Sequence, residues 1–217
     1  SISGNDGRYG TCETPEKFWA AWREEEFSDG HNFALKNKKL TAKQLDNLFC
    51  HRNSADRVWY ENLIAGGELA VTQQDELLIS LLSPERLFDM VRFFTLFDKR
   101  IGKIVARYQQ VFGIKKLVER INQRKPNGGR EGGVIWHTTG SGKSLTMVFL
   151  SKTLVLHESL KQCRIVVITD RVDLETQLSD TFSDSGALET KQDKANAIAT
   201  SGRRLAEQIG KGSERII

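Results

Sequence analysis

Five consecutive residues carry the densest chemistry in this sequence: Gly140, Ser141, Gly142, Lys143 and Ser144, inside "GGVIWHTTGSGKSLTMVFL" (residues 132–150). Two glycines without a Cβ let the backbone curl so that successive N–H groups face a phosphate oxygen. Lys143 sets a mobile positive charge beside the outer phosphates of a nucleotide. The Ser144 hydroxyl suits the Mg²⁺ ion that bridges them. Lys143 and Ser144 are therefore the candidate catalytic residues, and Ser144 is the candidate metal contact. Thr139 joins residues 140–144 as the phosphate cradle. The general pattern G-x-x-x-x-G-K-[ST] asks for glycine at position 137, where this chain has His137. That difference implies a looser bend, closed by the side chains of Thr138 and Thr139. His137 reads as a packing or capping residue rather than a catalyst.

Such a loop works only if a strand and a helix hold it. "GVIWHT" reads as a short apolar strand. The helix expected from Lys143 to about His157 adds its positive end to the anion site. A strand over "RIVVITD" follows, then a helix over "VDLETQLSDTF", a polar stretch, and "SERII" as the start of another strand. Strands alternating with helices predict an α/β domain with a parallel sheet and helical crossovers. With only about three strands, that domain is expected to be incomplete.

The upstream half reads differently. From Arg107, the residues Tyr108, Val111, Phe112, Leu117, Val118 and Ile121 form one apolar helical stripe, ended by "KPNGG". "LSPERLFDMVRFFTLFD" predicts a helix with Ser83 as N-cap, Pro84 in the first helical position, and an apolar face of Leu87, Val91 and Phe94. "LTAKQLDNLFC" predicts a helix started by Thr41. "ETPEKFWAAWREEEF" predicts a short helix packed by Phe18, Trp19, Trp22 and Phe27. Residues 1–98 are thus expected to form a mainly helical connector, and residues 99–217 the phosphate-loop domain.

Charge is uneven. The net charge is +4, yet residues 99–130 hold ten lysines and arginines against one acid, Glu119. A concentrated basic segment attracts polyanions such as nucleic acid. No apolar run approaches the roughly 20 residues a membrane span needs. Cys12, Cys50 and Cys163 are widely spaced without a C-x-x-C pair. That argues against zinc and reads as scattered buried thiols in a reducing cytoplasm. Asp170 ends a strand, but Arg171 follows it, and no D-E-x-H or D-E-x-D sequence occurs. The metal-organising acid is therefore expected beyond Ile217. The start "SISGNDGRYG" lacks an initiator Met and suggests a piece of a longer protein. A nuclease-like D…E-x-K match at Asp184, Glu189 and Lys191 lies in a polar stretch without a strand and reads as coincidence.

With these motifs in view, the sequence resembles the restriction (motor) subunit of type I restriction–modification enzymes, a superfamily 2 group. "TTGSGKS" is similar to that group's first helicase motif, which has T-G-S-G-K-[ST] without the first glycine. "VVITDRVDLETQL" resembles its next motif, and "KIVARYQQVFGIKKLVERI" the segment that carries an adenine-reading glutamine. "SGNDGRYGT" and "FWAAWREE" resemble the connector after its nuclease domain. The resemblance implies an incomplete RecA-like domain with ATP and Mg²⁺ as cofactors and Gln110 at the adenine edge, with Gln109 beside it. Arg171 would lie toward double-stranded DNA. It also implies an ATP-dependent DNA-translocating endonuclease as the parent, working with modification and specificity subunits in the cytoplasm, with this piece alone inactive. Two other readings stay open: a small-molecule phosphate-loop enzyme such as a kinase, and a non-catalytic scaffold.

Overall fold

A computed structural model describes residues 2–3, 6–98, 102–138, 140–160, 162–169, 172–184, 195–212 and 215–217. In chain order its elements begin with β1 (Ile2–Ser3), β2 (Asp6–Tyr9), a 3-10 turn (Glu16–Phe18) and β3 (Ala20–Ala21). The helices α1 (Asp29–Lys36), α2 (Ala42–Phe49), α3 (Ser54–Ala65), α4 (Gln73–Leu82) and α5 (Pro84–Arg92) follow. Then come β4 (Thr95–Asp98), β5 (Gly102–Val105), α6 (Tyr108–Asn122), α7 (Lys143–Leu156), α8 (Val172–Asp184) and α9 (Gly202–Lys211). The chain divides into two compact units, one of residues 1–9 and 21–86, the other of residues 10–20 and 87–217.

In the first unit the helices start where side chains cap them. Ser28, Thr41, Asn53 and Thr72 accept backbone N–H bonds from His31, Gln44, Ala55 and Asp75. Each satisfies a donor that the first helical turn leaves unpaired. Thr41 and Thr72 complete reciprocal capping boxes with Gln44 and Asp75. β2 lies so close to α4 that a Cβ on Gly7 would stand 2.9 Å from Leu77 Cδ2. Arg86 is only 2% exposed, so its charge must be met internally. It donates to Glu24 (3.0 Å) and Glu26 (2.7 Å) and stacks over the rings of Trp22 and Phe27.

The second unit has its core between α6, α7 and the antiparallel hairpin β4–β5, in which Thr95 faces Val105 and Asp98 faces Gly102. Phe94, Leu96, Ala106, Val111, Ile114 and Phe149 are buried there. The rings of Phe94 and Phe149 meet at 6.4 Å. Lys152 of α7 donates to the Thr95 carbonyl (2.7 Å), and burial lowers its pKa. α8 packs on α7. Ile165 and Ile216 form an isolated parallel bridge, in which Val167 N–H donates to Ile217 O (2.7 Å) and Ile217 N–H to Ile165 O (2.9 Å).

Several sequence expectations are corrected. Residues 133–138 do not form a strand. Val134 and Trp136 are 91% and 89% exposed, because a strand exists only with a hydrogen-bonding neighbour and none pairs with this segment among the described residues. Of the expected parallel sheet, the described residues show only the Ile165–Ile216 bridge. The aromatic stretch after Pro15 is not an α-helix but the 3-10 turn and β3, with Trp19 extended (φ −63°, ψ 135°). Its tryptophans serve different units: Trp19 Nε1 donates to Thr14 O, and Trp22 Nε1 to Glu24. On α5 the buried residues are Arg86 and Met90, while Leu87 and Val91 are exposed. Phe94 is buried, but beyond the helix end, so helical spacing cannot align it with them. Cys12 and Cys50 are exposed rather than buried.

Candidate phosphate-binding site

The loop before α7 is built on two left-handed glycines, Gly140 (φ +78°) and Gly142 (φ +86°). Residues with a Cβ rarely adopt that conformation, so the sequence permits the turn only through these glycines. Gly142 is also the N-cap of α7, which places Lys143 and Ser144 in the first helical turn, at the positive end of the helix. A Cβ on Gly140 would meet nothing within 4 Å, whereas one on Gly142 would stand 3.1 Å from Gln110 Nε2.

Two backbone carbonyls organise the loop. The Thr138 carbonyl accepts from Ser141 N (3.3 Å), Ser141 Oγ (2.6 Å) and Lys143 Nζ (3.3 Å). Lys143 Nζ also donates to His137 O at 3.3 Å. The Gly142 carbonyl accepts from Thr146 N (2.9 Å), Thr146 Oγ1 (3.1 Å) and Gln110 Nε2 (3.2 Å). His137 thus contributes its backbone to the loop, and its Nδ1 is buried without a hydrogen-bond partner among the described residues.

Gln110 is 3% exposed, on the first turn of α6. Its Oε1 accepts from Arg107 N (2.9 Å), and its Nε2 donates to Gly142 O and to Thr146 Oγ1 (3.1 Å). The structure therefore brings Gln110 and residues 140–144 into one site although 29 or more positions separate them in the sequence. Thr146 belongs to this site as well, and the sequence reading passed over it. The available signal was a hydroxyl in the first turn of a helix, four residues after a glycine carbonyl, a spacing at which threonine bonds back to the chain. Thr139, Asp170 and Arg171 lie outside the described residues, as does the stretch containing Glu189 and Lys191.

The basic window is partly committed to structure. Arg130 Nη1 donates to Ile121 O (2.7 Å) and Arg120 Nε to Gly132 O (3.1 Å), so both serve the end of α6 and the loop after it. Lys125 lies 3.5 Å from Glu131, Lys115 lies 3.3 Å from Asp89, and Lys103 sits over the Phe97 ring. Lys99 and Arg100 lie outside the described residues. Among the described residues no cluster of three or more histidines, cysteines or acids could hold a metal, and no helix is long and apolar enough to cross a membrane.

The arrangement fits a nucleotide polyphosphate: an open nest at Gly140, a cation at a helix N-terminus, and a serine hydroxyl beside it. Over 112 residues the chain is 44% identical to the type I restriction enzyme HindI endonuclease subunit of Haemophilus influenzae, which covers 49% of this chain and 11% of that protein. It is 34% identical over 132 residues to the putative type I restriction enzyme MjaIXP endonuclease subunit of Methanocaldococcus jannaschii, covering 59% of this chain and 12% of the relative. The type I restriction enzyme SauCOLORF180P endonuclease subunit of Staphylococcus aureus is 29% identical over 105 residues, 48% of this chain and 10% of the relative. The chain spans about a tenth of the length of these relatives. No solved structure matches it. The resemblance drawn from the motifs is matched by these relatives, all of them type I restriction endonuclease subunits. The SWI2/SNF2 ATPase model matches residues 109–217, half of the chain and the half that holds the loop, and the chain belongs to that ATPase family.

Proposed function

We propose that the chain is the nucleotide-binding start of the ATP-dependent motor of a type I restriction endonuclease subunit, preceded by its connector. The observation that carries this reading is the loop itself: left-handed Gly140 and Gly142, Lys143 at the N-terminus of α7, and Gln110 hydrogen-bonded to the Gly142 carbonyl. Residues 139–144 would hold the phosphates of ATP, Ser144 would contact Mg²⁺, and Gln110 would meet the adenine edge, where an amide offers a donor and an acceptor. When bound, ATP with Mg²⁺ supplies the phosphoanhydride hydrolysis that drives such motors. Lys143 Nζ, which donates to the carbonyls of His137 and Thr138, would exchange them for the phosphates, where its charge would oppose the negative charge of the transition state. Arg171 and the basic residues of 99–130 would meet the phosphates of duplex DNA. The modification and specificity subunits are the expected partners, and the small-molecule kinase reading is the alternative.

The direct test replaces Lys143 by Ala in the intact restriction subunit. ATP-driven translocation on duplex DNA should fall by at least a hundredfold, in line with the loss of one preorganised electrostatic contact at a reacting group. Translocation at the wild-type rate would overturn the site assignment.

A further inference from the structure

Between α6 and the phosphate loop the chain makes a hairpin that the nucleotide site does not use. Arg124 and Arg130 face each other across it as an isolated antiparallel bridge. Lys125 N–H donates to Gly129 O (2.8 Å), so the two arginines form the non-hydrogen-bonded kind of pair, in which facing side chains stand closest. The turn is fixed by its own residues. Gly128 N–H donates to Lys125 O (2.9 Å), Pro126 presets the second position of the turn, and Gly128 is left-handed (φ +81°). Gly129 N–H donates to Asn127 Oδ1 (3.0 Å). Arg130 Nη1 ties the hairpin to the end of α6 at Ile121 O. Two like charges are thus held opposite each other by a rigid turn, which is destabilising unless an anion lies between them. Arg124 is exposed, and its guanidinium has no hydrogen-bond or ion-pair partner among the described residues.

The hairpin stands apart from the nucleotide site. Gln110 touches the phosphate loop near the start of α6, and Asn122 ends that helix. At 1.5 Å per residue the two ends are about 18 Å apart. The composition of the hairpin indicates the kind of partner. From Gln123 to Gly133 there is no aromatic side chain and no large aliphatic one. Protein interfaces are anchored by such side chains, whereas contacts to a phosphodiester backbone need only cations and N–H donors. The planar arginine fork also matches phosphate oxygens.

We infer that this hairpin is a contact for the DNA backbone, separate from the phosphate loop, with a phosphodiester seated at Arg124 and Arg130. This rests on the DNA-motor reading above and adds to it a particular element at the far end of α6.

The test measures binding of a random-sequence DNA duplex to the intact subunit by fluorescence anisotropy, in a salt series without nucleotide. Arg124→Gln should weaken binding about three- to tenfold near physiological salt and lower the slope of log K against log salt by about one, as loss of one phosphate contact requires. Arg124→Glu, which sets an opposite charge against Arg130, should lose at least as much. Arg124→Lys keeps the charge and should keep the slope, which separates loss of the contact from damage to the turn. Affinity for Mg²⁺–ATP, measured without DNA, should be the same in all three variants, and a fall in it would overturn the separation of the two sites. Unchanged DNA affinity and slope in Arg124→Gln and Arg124→Glu would overturn the hairpin contact. So would unchanged DNA binding with weakened assembly onto the modification and specificity subunits, which would make the hairpin a protein-docking element. A wild-type subunit that binds no duplex at all would instead sink the DNA-motor reading itself.

Discussion

At Gly142 two constraints coincide, a positive φ and a neighbour 3.1 Å from any added Cβ, whereas Gly140 meets only the first. Alanine at either position pays a left-handed backbone cost of roughly 1–2 kcal/mol. At Gly142 Gln110 Nε2 must also give way by a few tenths of an ångström, which strains its bond to the Gly142 carbonyl. Gly142→Ala in the intact subunit should therefore weaken nucleotide binding several-fold more than Gly140→Ala, measured by titration with ATP. Equal effects would mean that Gln110 yields without consequence. At this scale the sequence was legible where chemistry is encoded in consecutive residues. The left-handed turns at Gly140 and Gly142 and the helix start at Lys143 stand where their spacing put them. What it could not convey was the bonding of Gln110 to the Gly142 carbonyl, or Thr146 at all, because both depend on α6 lying against α7, a contact between residues 36 apart.

Elements whose ends are written in local hydrogen bonds were read well. Thr41 starts α2 as its capping chemistry implied, α7 runs Lys143–Leu156 against an expected end near His157, and the apolar stripe of α6 buries Val111, Phe112 and Val118. Elements that depend on distant partners were not. "GVIWHT" has the composition of a buried strand, but composition supplies no hydrogen-bonding neighbour. On α5 the burial of Arg86 reverses the expected face, because two carboxylates and two aromatic rings from residues 22–27 satisfy a charge that spacing alone assigns to solvent. The capping boxes give a prediction at this scale. Thr72→Ala removes the acceptor for Asp75 N–H and the partner of the Asp75 carboxylate. It should lower stability by about 1 kcal/mol, read from the denaturant midpoint, with the m-value unchanged.

For the molecule as a whole, acid should act first on the unit of residues 1–9 and 21–86. Burial pushes the Glu24 carboxyl up, but hydrogen bonds from Trp22 Nε1 and Glu26 N, with the charge of Arg86, outweigh it and hold the carboxyl below its ordinary value of 4.5. Asp75 follows the same logic: burial is outweighed by the Lys36 ammonium and by Thr72, and its pKa lies below 3.8. Carboxyls depressed on folding add stability that is fully present above their unfolded values and is lost as pH falls through the folded ones. The thermal midpoint should therefore hold from neutral pH down to about 4.5 and drop below it. Glu24→Gln should cost about 1–3 kcal/mol at pH 7, since it removes a charged hydrogen-bond acceptor beside a buried arginine, and should flatten the acid limb. A variant with an unchanged acid limb would remove Glu24 from the account. The other unit holds a feature with a consequence in time rather than in energy. The parallel bridge between Ile165 and Ile216 closes a loop of about fifty residues, and the entropy of that closure must be met before any of its hydrogen bonds form. Helices α6, α7 and α8 form from near neighbours and can precede it. The pairing at the end of the chain is then the last part of this unit to assemble, and the amides of Val167 and Ile217 are among the first to open again.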